Sequence, residues 1–309
     1  MNITCHTIER DGLTLDVLED AGAGLRIMVS RLGAEMVSLA KRDANGRWIG
    51  FLYRDGEVAQ PASGWANHAT VMGYFIHRLV GERTVYRGVE MLGGTHSFLR
   101  HKTFTAPEVA TGRAASLTYR IEPNQILAHE YPLRVSLKLT YAMINGRLEV
   151  SFRFENQEPD LTAHVSFGLH PGFAVTSLET CTVILPAGSY VRHLAPGNFL
   201  SGEVQQFDHE TGPMSFAKAD LPGSFLFALK DVPVPIFELR DARRRVDLDF
   251  REAPYVTFWS DGNPYLCVEP CWGLPDHHRQ RPFESKLGIE EIEPRASLVR
   301  RFSITPHLL

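Results

Sequence analysis

The chain has 309 residues, of which 44% are hydrophobic and 22% charged, an ordinary balance for a packed globular protein with a sizeable core. Its 32 basic and 36 acidic residues leave a formal charge of -4 spread along the chain, which excludes the basic footprint of a nucleic-acid binder. The N-terminus turns acidic early without a signal-peptide apolar core, and no window approaches the ~20 apolar residues that span a bilayer, so a cytoplasmic protein with no membrane or nucleic-acid partner is expected. Cys5, Cys181, Cys267 and Cys271 are too few and scattered for a disulfide framework and complete no zinc pattern; buried free thiols are expected.

In chain order, the dominant pattern is alternation. Asp11-Gly12 and Asn45-Gly46 mark early turns. Residues 133–141 put every second side chain on an apolar face, as a half-buried strand requires. Asn145-Gly146 then separates them from a second alternating run over 148–154, a strong local signal for a hairpin. Further strands are predicted over 181–185, 224–229, 236–240, 245–250 and 298–304, with turns at Pro196-Gly197, Pro222-Gly223 and Asp261-Gly262. The Arg243–Arg245 and Arg300-Arg301 clusters read as solvated strand faces. No stretch carries several turns of amphipathic helix, no linker divides the chain, and no repeat of fixed period occurs. The pattern predicts an all-β protein, one large β-sandwich domain over residues 1–309.

Three segments could carry chemistry. Phe167-Gly168-Leu169-His170-Pro171-Gly172-Phe173 brings a strand into a proline, where it is expected to end with His170 projecting from a stiff backbone. Val268-Glu269-Pro270-Cys271-Trp272-Gly273 delivers a carboxylate among apolar neighbours, where burial raises the pKa toward that of a general base. His77-Arg78-Leu79 and, some twenty residues on, the turn Gly94-Thr95-His96-Ser97-Phe98-Leu99-Arg100 add an arginine between apolar residues and a loop histidine. Buried there, Arg78 would need acceptors, and sugar hydroxyls are one such set. Each feature alone also has a bland reading as a satisfied core histidine, a strand-end carboxylate or a paired arginine.

Taken together and in order, these segments resemble the galactose mutarotase-like (aldose 1-epimerase) family. The family's Asn-Arg-[Ile/Leu]-x-x-Gly is similar to His77-Arg78-Leu79-Val80-Gly81-Glu82, and His-Gly-Phe-x-Arg to His96-Ser97-Phe98-Leu99-Arg100. Gly-x-His-Pro-x-Phe is matched by Gly168, His170, Pro171 and Phe173; Ile-Glu-Pro-Trp-x-Gly resembles Val268 to Gly273. The resemblance runs from about residue 25 to the C-terminus. His77 stands where Asn is usual, Ser97 where Gly is usual, and Cys271 where Trp is usual, with Trp272 displaced by one. No sugar-binding aspartate has motif support, Asp208 and Asp241 being candidates.

The resemblance implies the family's large two-sheet β-sandwich (supersandwich) and an isomerase of carbohydrate metabolism. It implies His170 as general acid, Glu269 as general base, and Arg78 and His96 as sugar-binding residues. The expected reaction is mutarotation: Glu269 takes the anomeric hydroxyl proton, His170 protonates the ring oxygen, and the opened aldose recloses on either face. No cofactor or metal is called for; the partner is a small-molecule sugar, and the protein is expected as a monomer or homodimer. The alternatives are a hexose-6-phosphate mutarotase with Arg78, Arg83 or Arg100 on the phosphate, another carbohydrate isomerase or lyase, and a non-catalytic sugar-binding protein. A metal enzyme using His68, His77, His96 or His101 is the last; His96 and His101, five apart without a carboxylate between them, have weak ligand spacing.

Overall fold

Alternating apolar residues fold 135–156 into the predicted hairpin. Val135–Ile144 pairs antiparallel with Arg147–Asn156, and Ile144 faces Arg147 across Asn145 and Gly146, whose φ of 51° and 75° are those of the primed turns that Asn-Gly favours. Leu137, Leu139, Tyr141, Val150, Phe152 and Phe154 all point into the core. The computed structural model describes residues 3–112, 114–214, 216 and 220–309.

The hairpin lies within a nine-stranded sheet, next to Ser297–Leu308. An eight-stranded sheet contains Phe225–Asp231, Tyr255–Trp259, Tyr265–Trp272 and Ala163–Ala174, with Ala69–Tyr74 paired to the last of these. Phe152 and Phe154 of the first sheet pack on Phe167 of the second at ring-centroid distances of 5.1 and 4.7 Å, and Phe237 meets Phe258 at 6.0 Å. One apolar cluster extends from Leu18 to Ile304, filling the space between these layers. A five-stranded N-terminal sheet, residues 3–50, is tied on through Tyr119, whose hydroxyl donates to Asp16, and Tyr141, whose hydroxyl donates to the Ala34 carbonyl. The all-β sandwich expected from the sequence is thus the observed architecture. Among the described residues, helices are limited to three-residue 3-10 turns, and none is long and apolar enough to cross a membrane.

The sequence misleads at the two prolines. Ala163–Ala174 runs straight through His170-Pro171-Gly172, and Tyr265–Trp272 through Glu269-Pro270; neither strand ends there. The two strands pair at Phe167–Trp272, Gly168–Cys271 and Gly172–Cys267, with the ladder interrupted between. Proline lacks the N–H a ladder needs, and Pro171 and Pro270 both fall in this gap. Outer neighbours hold the strands extended instead: Pro171 lies opposite Ala69, and Pro270 opposite Val256. Carrying the register through the gap sets His170 opposite Glu269, in the middle of the sheet.

Of the four cysteines, all are free, but only Cys267 and Cys271 are buried; Cys5 and Cys181 at sheet margins are half-buried.

Candidate active site

A cavity of about 280 Å³ opens over that gap, and all four residues singled out from the sequence, Arg78, His96, His170 and Glu269, line it. His170 Nε2 lies 3.3 Å from Glu269 Oε1, with both side chains buried. Their other polar atoms, His170 Nδ1 and Glu269 Oε2, have no hydrogen-bond partner among the described residues. Buried polar atoms are rarely left unpaired, and here they belong to residues lining the cavity. Burial raises the Glu269 carboxyl well above its ordinary value and lowers His170 to about 3, with His77 and Arg100 as lesser contributors to the latter. Both shifts favour the neutral forms, so burial favours the proton on the carboxyl and a free imidazole.

Two tight loops build one wall. His96 N–H donates to the His77 carbonyl (2.8 Å), and His77 N–H donates to His96 Nδ1 (3.1 Å). Because Nδ1 accepts, the neutral ring carries its proton on Nε2. Burial, then the neighbouring His170 and His77, keep the His96 pKa well below its ordinary value, and burial lowers His77 to about 4. The His96 ring stands edge-on to His170 at 5.1 Å. His77, His96 and Ser97 have φ of 58°, 63° and 64°, the left-handed region where Asn and Gly are favoured. Asn and Gly are the residues the resembling family's motifs place at 77 and 97, so this chain holds the left-handed backbone there with costlier residues.

Arg78 is the exposed member of its segment. Its side chain is exposed while lining the cavity, so no buried acceptor is required; His77 is the buried member of the segment. Arg100 also lines the cavity and donates to His101 Nε2 at 3.1 Å. Neither arginine forms an ion pair among the described residues. Arg83, the other phosphate candidate, is paired with Glu90 and stands outside the cavity lining.

Trp65 and Trp259 supply an aromatic wall that the sequence did not single out. The Trp65 ring stacks on Tyr265 and lies 5.1 Å from His170; Trp259 lies 5.5 Å from His170 and meets Trp65 edge-on. Gly172 makes room, because a Cβ there would come within 2.3 Å of Trp65. By contrast Trp272 faces the core, stacked on Phe167 at 5.0 Å. Displacing a strand residue by one position turns it to the opposite face, which is why this Trp does not reach the cavity.

The remaining candidates separate from the site. Asp241 accepts from Thr176 and from the backbone of Arg243 and Arg244, holding a turn, and Asp208 accepts from Ser189 on an edge hairpin; neither lines the cavity. His68 is bonded to the Glu57 carbonyl and His101 to Arg100, so of the four histidines considered for a metal only His77 and His96 face the cavity.

The aldose 1-epimerase family profile matches residues 16–294. No curated protein matches the chain significantly. Among solved structures, a galactose mutarotase related enzyme from Lactobacillus acidophilus superposes with a TM-score of 0.81 at 21% identity, covering 98% of this chain and 97% of that one. A galactose mutarotase-like protein from Lactobacillus casei ATCC 334 gives 0.79 at 20% identity over 98% and 100%. The galactose 1-epimerase of Lactobacillus acidophilus NCFM gives 0.74 at 12% identity over 99% of both chains. At these identities the likeness is one of fold.

Proposed function

The chain belongs to the aldose 1-epimerase family, and we propose that it interconverts the α and β anomers of an aldose, with Glu269 as base, His170 as acid, and Arg78 and His96 as sugar-binding residues. The observation that carries this reading is the 3.3 Å contact between His170 Nε2 and Glu269 Oε1 on the cavity wall. The ring oxygen and the anomeric hydroxyl are bonded to the same carbon. An acid and a base that serve both must therefore be close neighbours.

The pair needs one proton for two sites. With imidazolium and carboxylate, Glu269 takes the anomeric hydroxyl proton while His170 gives its own to the ring oxygen, and the C1–O5 bond breaks. The products are the open aldehyde, a protonated Glu269 and a neutral His170, the arrangement that burial favours. The imidazolium–carboxylate pair from which ring opening starts is therefore the less populated arrangement of the buried site, and forming it is part of the barrier. Rotation about C1–C2 and reversal of both transfers close the ring on the other face, returning the pair to its starting state. His96, held neutral with its proton on Nε2, is a donor to a sugar hydroxyl. Trp65 and Trp259 offer flat apolar faces to the C–H side of a pyranose. Positioned acid and base groups each contribute about 100- to 10,000-fold.

Arg78 and Arg100 support a second reading of the substrate, a phosphorylated aldose. Both guanidinium groups line the cavity, neither in a direct ion pair among the described residues although Glu35 acts on Arg100 at longer range, and arginine suits phosphate recognition. We also read the chain as one functional unit, because one apolar cluster runs from Leu18 to Ile304. Polarimetry and exchange NMR across free and phosphorylated aldoses test the proposal; no acceleration for any member of the panel would overturn it.

A further inference from the structure

Behind the acid–base pair lies a thiol that the reaction does not use. Cys267 precedes Glu269 by two positions on Tyr265–Trp272, so strand alternation turns both side chains to the same side. A nitrogen of His170, Sγ of Cys267 and a carboxylate oxygen of Glu269 all lie within 4.8 Å of one another, and all three residues are buried.

We propose that His170, Cys267 and Glu269 form a site for a thiophilic divalent cation such as zinc, and that its occupancy reversibly switches the acid–base pair off. Three atoms mutually within 4.8 Å surround a point about 2.8 Å or less from each, against ordinary zinc bonds of about 2.3 Å to sulfur and 2.0–2.2 Å to nitrogen or oxygen. Side-chain shifts of about 0.5–0.8 Å at most close the difference. The 3.3 Å His170–Glu269 edge already matches the ~3.3 Å separation of two nitrogen or oxygen ligands at a tetrahedral zinc. The donor set is the mixed thiolate, imidazole and carboxylate that zinc accepts, and two of its members, His170 and Glu269, line the cavity, the side from which a fourth ligand would come. Unpaired Glu269 Oε2 provides a second carboxylate oxygen. On binding, the Cys267 thiol proton and the proton shared by the pair leave to solvent, and both transfer groups become ligands. Zinc here is an inhibitor and not a cofactor. The switching half of the inference rests on His170 and Glu269 being the catalytic pair; the binding half does not.

The test is equilibrium dialysis of the EDTA-stripped full chain against Zn²⁺ without sugar, for the wild type, Cys267→Ser, Cys267→Ala and His277→Gln. The last variant addresses the His277–His278 ring pair, 4.3 Å apart, as a rival zinc site. The expected result is one zinc bound at micromolar concentration, weakened at least tenfold by either Cys267 variant and unchanged by His277→Gln. Cd²⁺ added to the wild type should produce a thiolate-to-metal charge-transfer band, a readout independent of how any variant folds. Zinc should stop anomer interconversion in the wild type but not in Cys267→Ser, and EDTA should restore it. No binding below about 1 mM, binding indifferent to Cys267, or no thiolate band would overturn the site. A wild type that turns over no sugar yet binds zinc through Cys267 would defeat the proposed function and leave the metal site standing.

Discussion

Trp65 occupies the space that Gly172 leaves open: a Cβ on Gly172 would sit 2.3 Å from Cζ3 of the indole and 3.0 Å from Cη2. The ring end is wedged between the strand and the cavity, 5.1 Å from His170 and stacked on Tyr265. Gly172→Ala should therefore push Trp65 off the imidazole. The expected outcome is a rise in KM of about tenfold, with Trp65→Ala giving the same loss and the double variant no more than either alone, as for two residues acting through one contact. Additive losses in steady-state kinetics would count against this coupling.

Three buried histidines lining the cavity make acid stability a sharp expectation. His77 is lowered to about 4, His170 to about 3, and His96 well below its ordinary value, each mainly by burial. A histidine depressed in the folded state binds its proton more readily when unfolded. Stability is therefore full above about pH 6.5 and declines as pH falls toward the folded values. His77→Asn should flatten this decline by on the order of 3 kcal/mol between pH 6.5 and 4, at about 1.4 kcal/mol per unit. Asn also suits the φ of 58° at position 77, so the variant should fold and keep activity near neutrality. Urea unfolding at a series of pH values checks this; equal pH slopes for both proteins would rule it out.

The strands and the 135–156 hairpin were legible because alternation and Asn-Gly are local signals that survive without tertiary information. His170 and Glu269 stood out for a similar reason, each lying beside a proline in an apolar run. Their strands were wrongly expected to stop, because what lets a proline continue a strand is the lapse in the ladder opposite it, and that depends on a partner far away in sequence. The apolar neighbours of Arg78 left its burial open. Those neighbours turn inward while the guanidinium reaches the cavity mouth, and a left-handed residue at 77 redirects the chain there. Trp65 carried no local signal at all; only the empty position at Gly172, more than a hundred residues on, gives it a role.

The two arginines separate free from phosphorylated substrates. Should the substrate carry phosphate, Arg78→Ala and Arg100→Ala should each raise KM about tenfold to a hundredfold for the phosphorylated sugar, the scale of a charge-assisted contact of about 1.5–3 kcal/mol. The free sugar should be affected less. Exposed Arg78 should lose part of its effect at high salt, since screening acts on exposed charges over about 10 Å at 0.1 M. Equal effects of both variants on free and phosphorylated sugars, measured by exchange NMR, would assign the arginines to hydroxyl groups instead.

Glu269→Gln distinguishes a catalyst from a binder. The amide keeps the size of the side chain and a carbonyl acceptor facing the cavity, but it cannot take a proton from the anomeric hydroxyl. If Glu269 is the base, turnover should fall about 100-fold or more, roughly 3 kcal/mol of barrier at 1.4 kcal/mol per tenfold. Sugar affinity should change by far less, since one hydrogen bond contributes about 0.5–1.5 kcal/mol net. His170→Asn should behave similarly, whereas Arg78→Ala should weaken binding along with turnover. Stability gives a third, independent readout. The Glu269 carboxyl is raised by burial, so its folded state holds the proton more tightly than its unfolded state does. Its contribution is full below the ordinary carboxylate range and is lost as pH rises through the raised value. Glu269→Gln removes that loss and should leave the protein as stable as the wild type, or more so, at neutral and alkaline pH. A purely structural Glu269 predicts the reverse, a lower melting temperature with turnover scaling to the folded fraction. A sugar-binding protein predicts no turnover in the wild type and a change visible only in affinity. Polarimetry, calorimetric binding and thermal unfolding on the same preparations decide among the three, and a Glu269→Gln variant with wild-type turnover would remove Glu269 from the role of base.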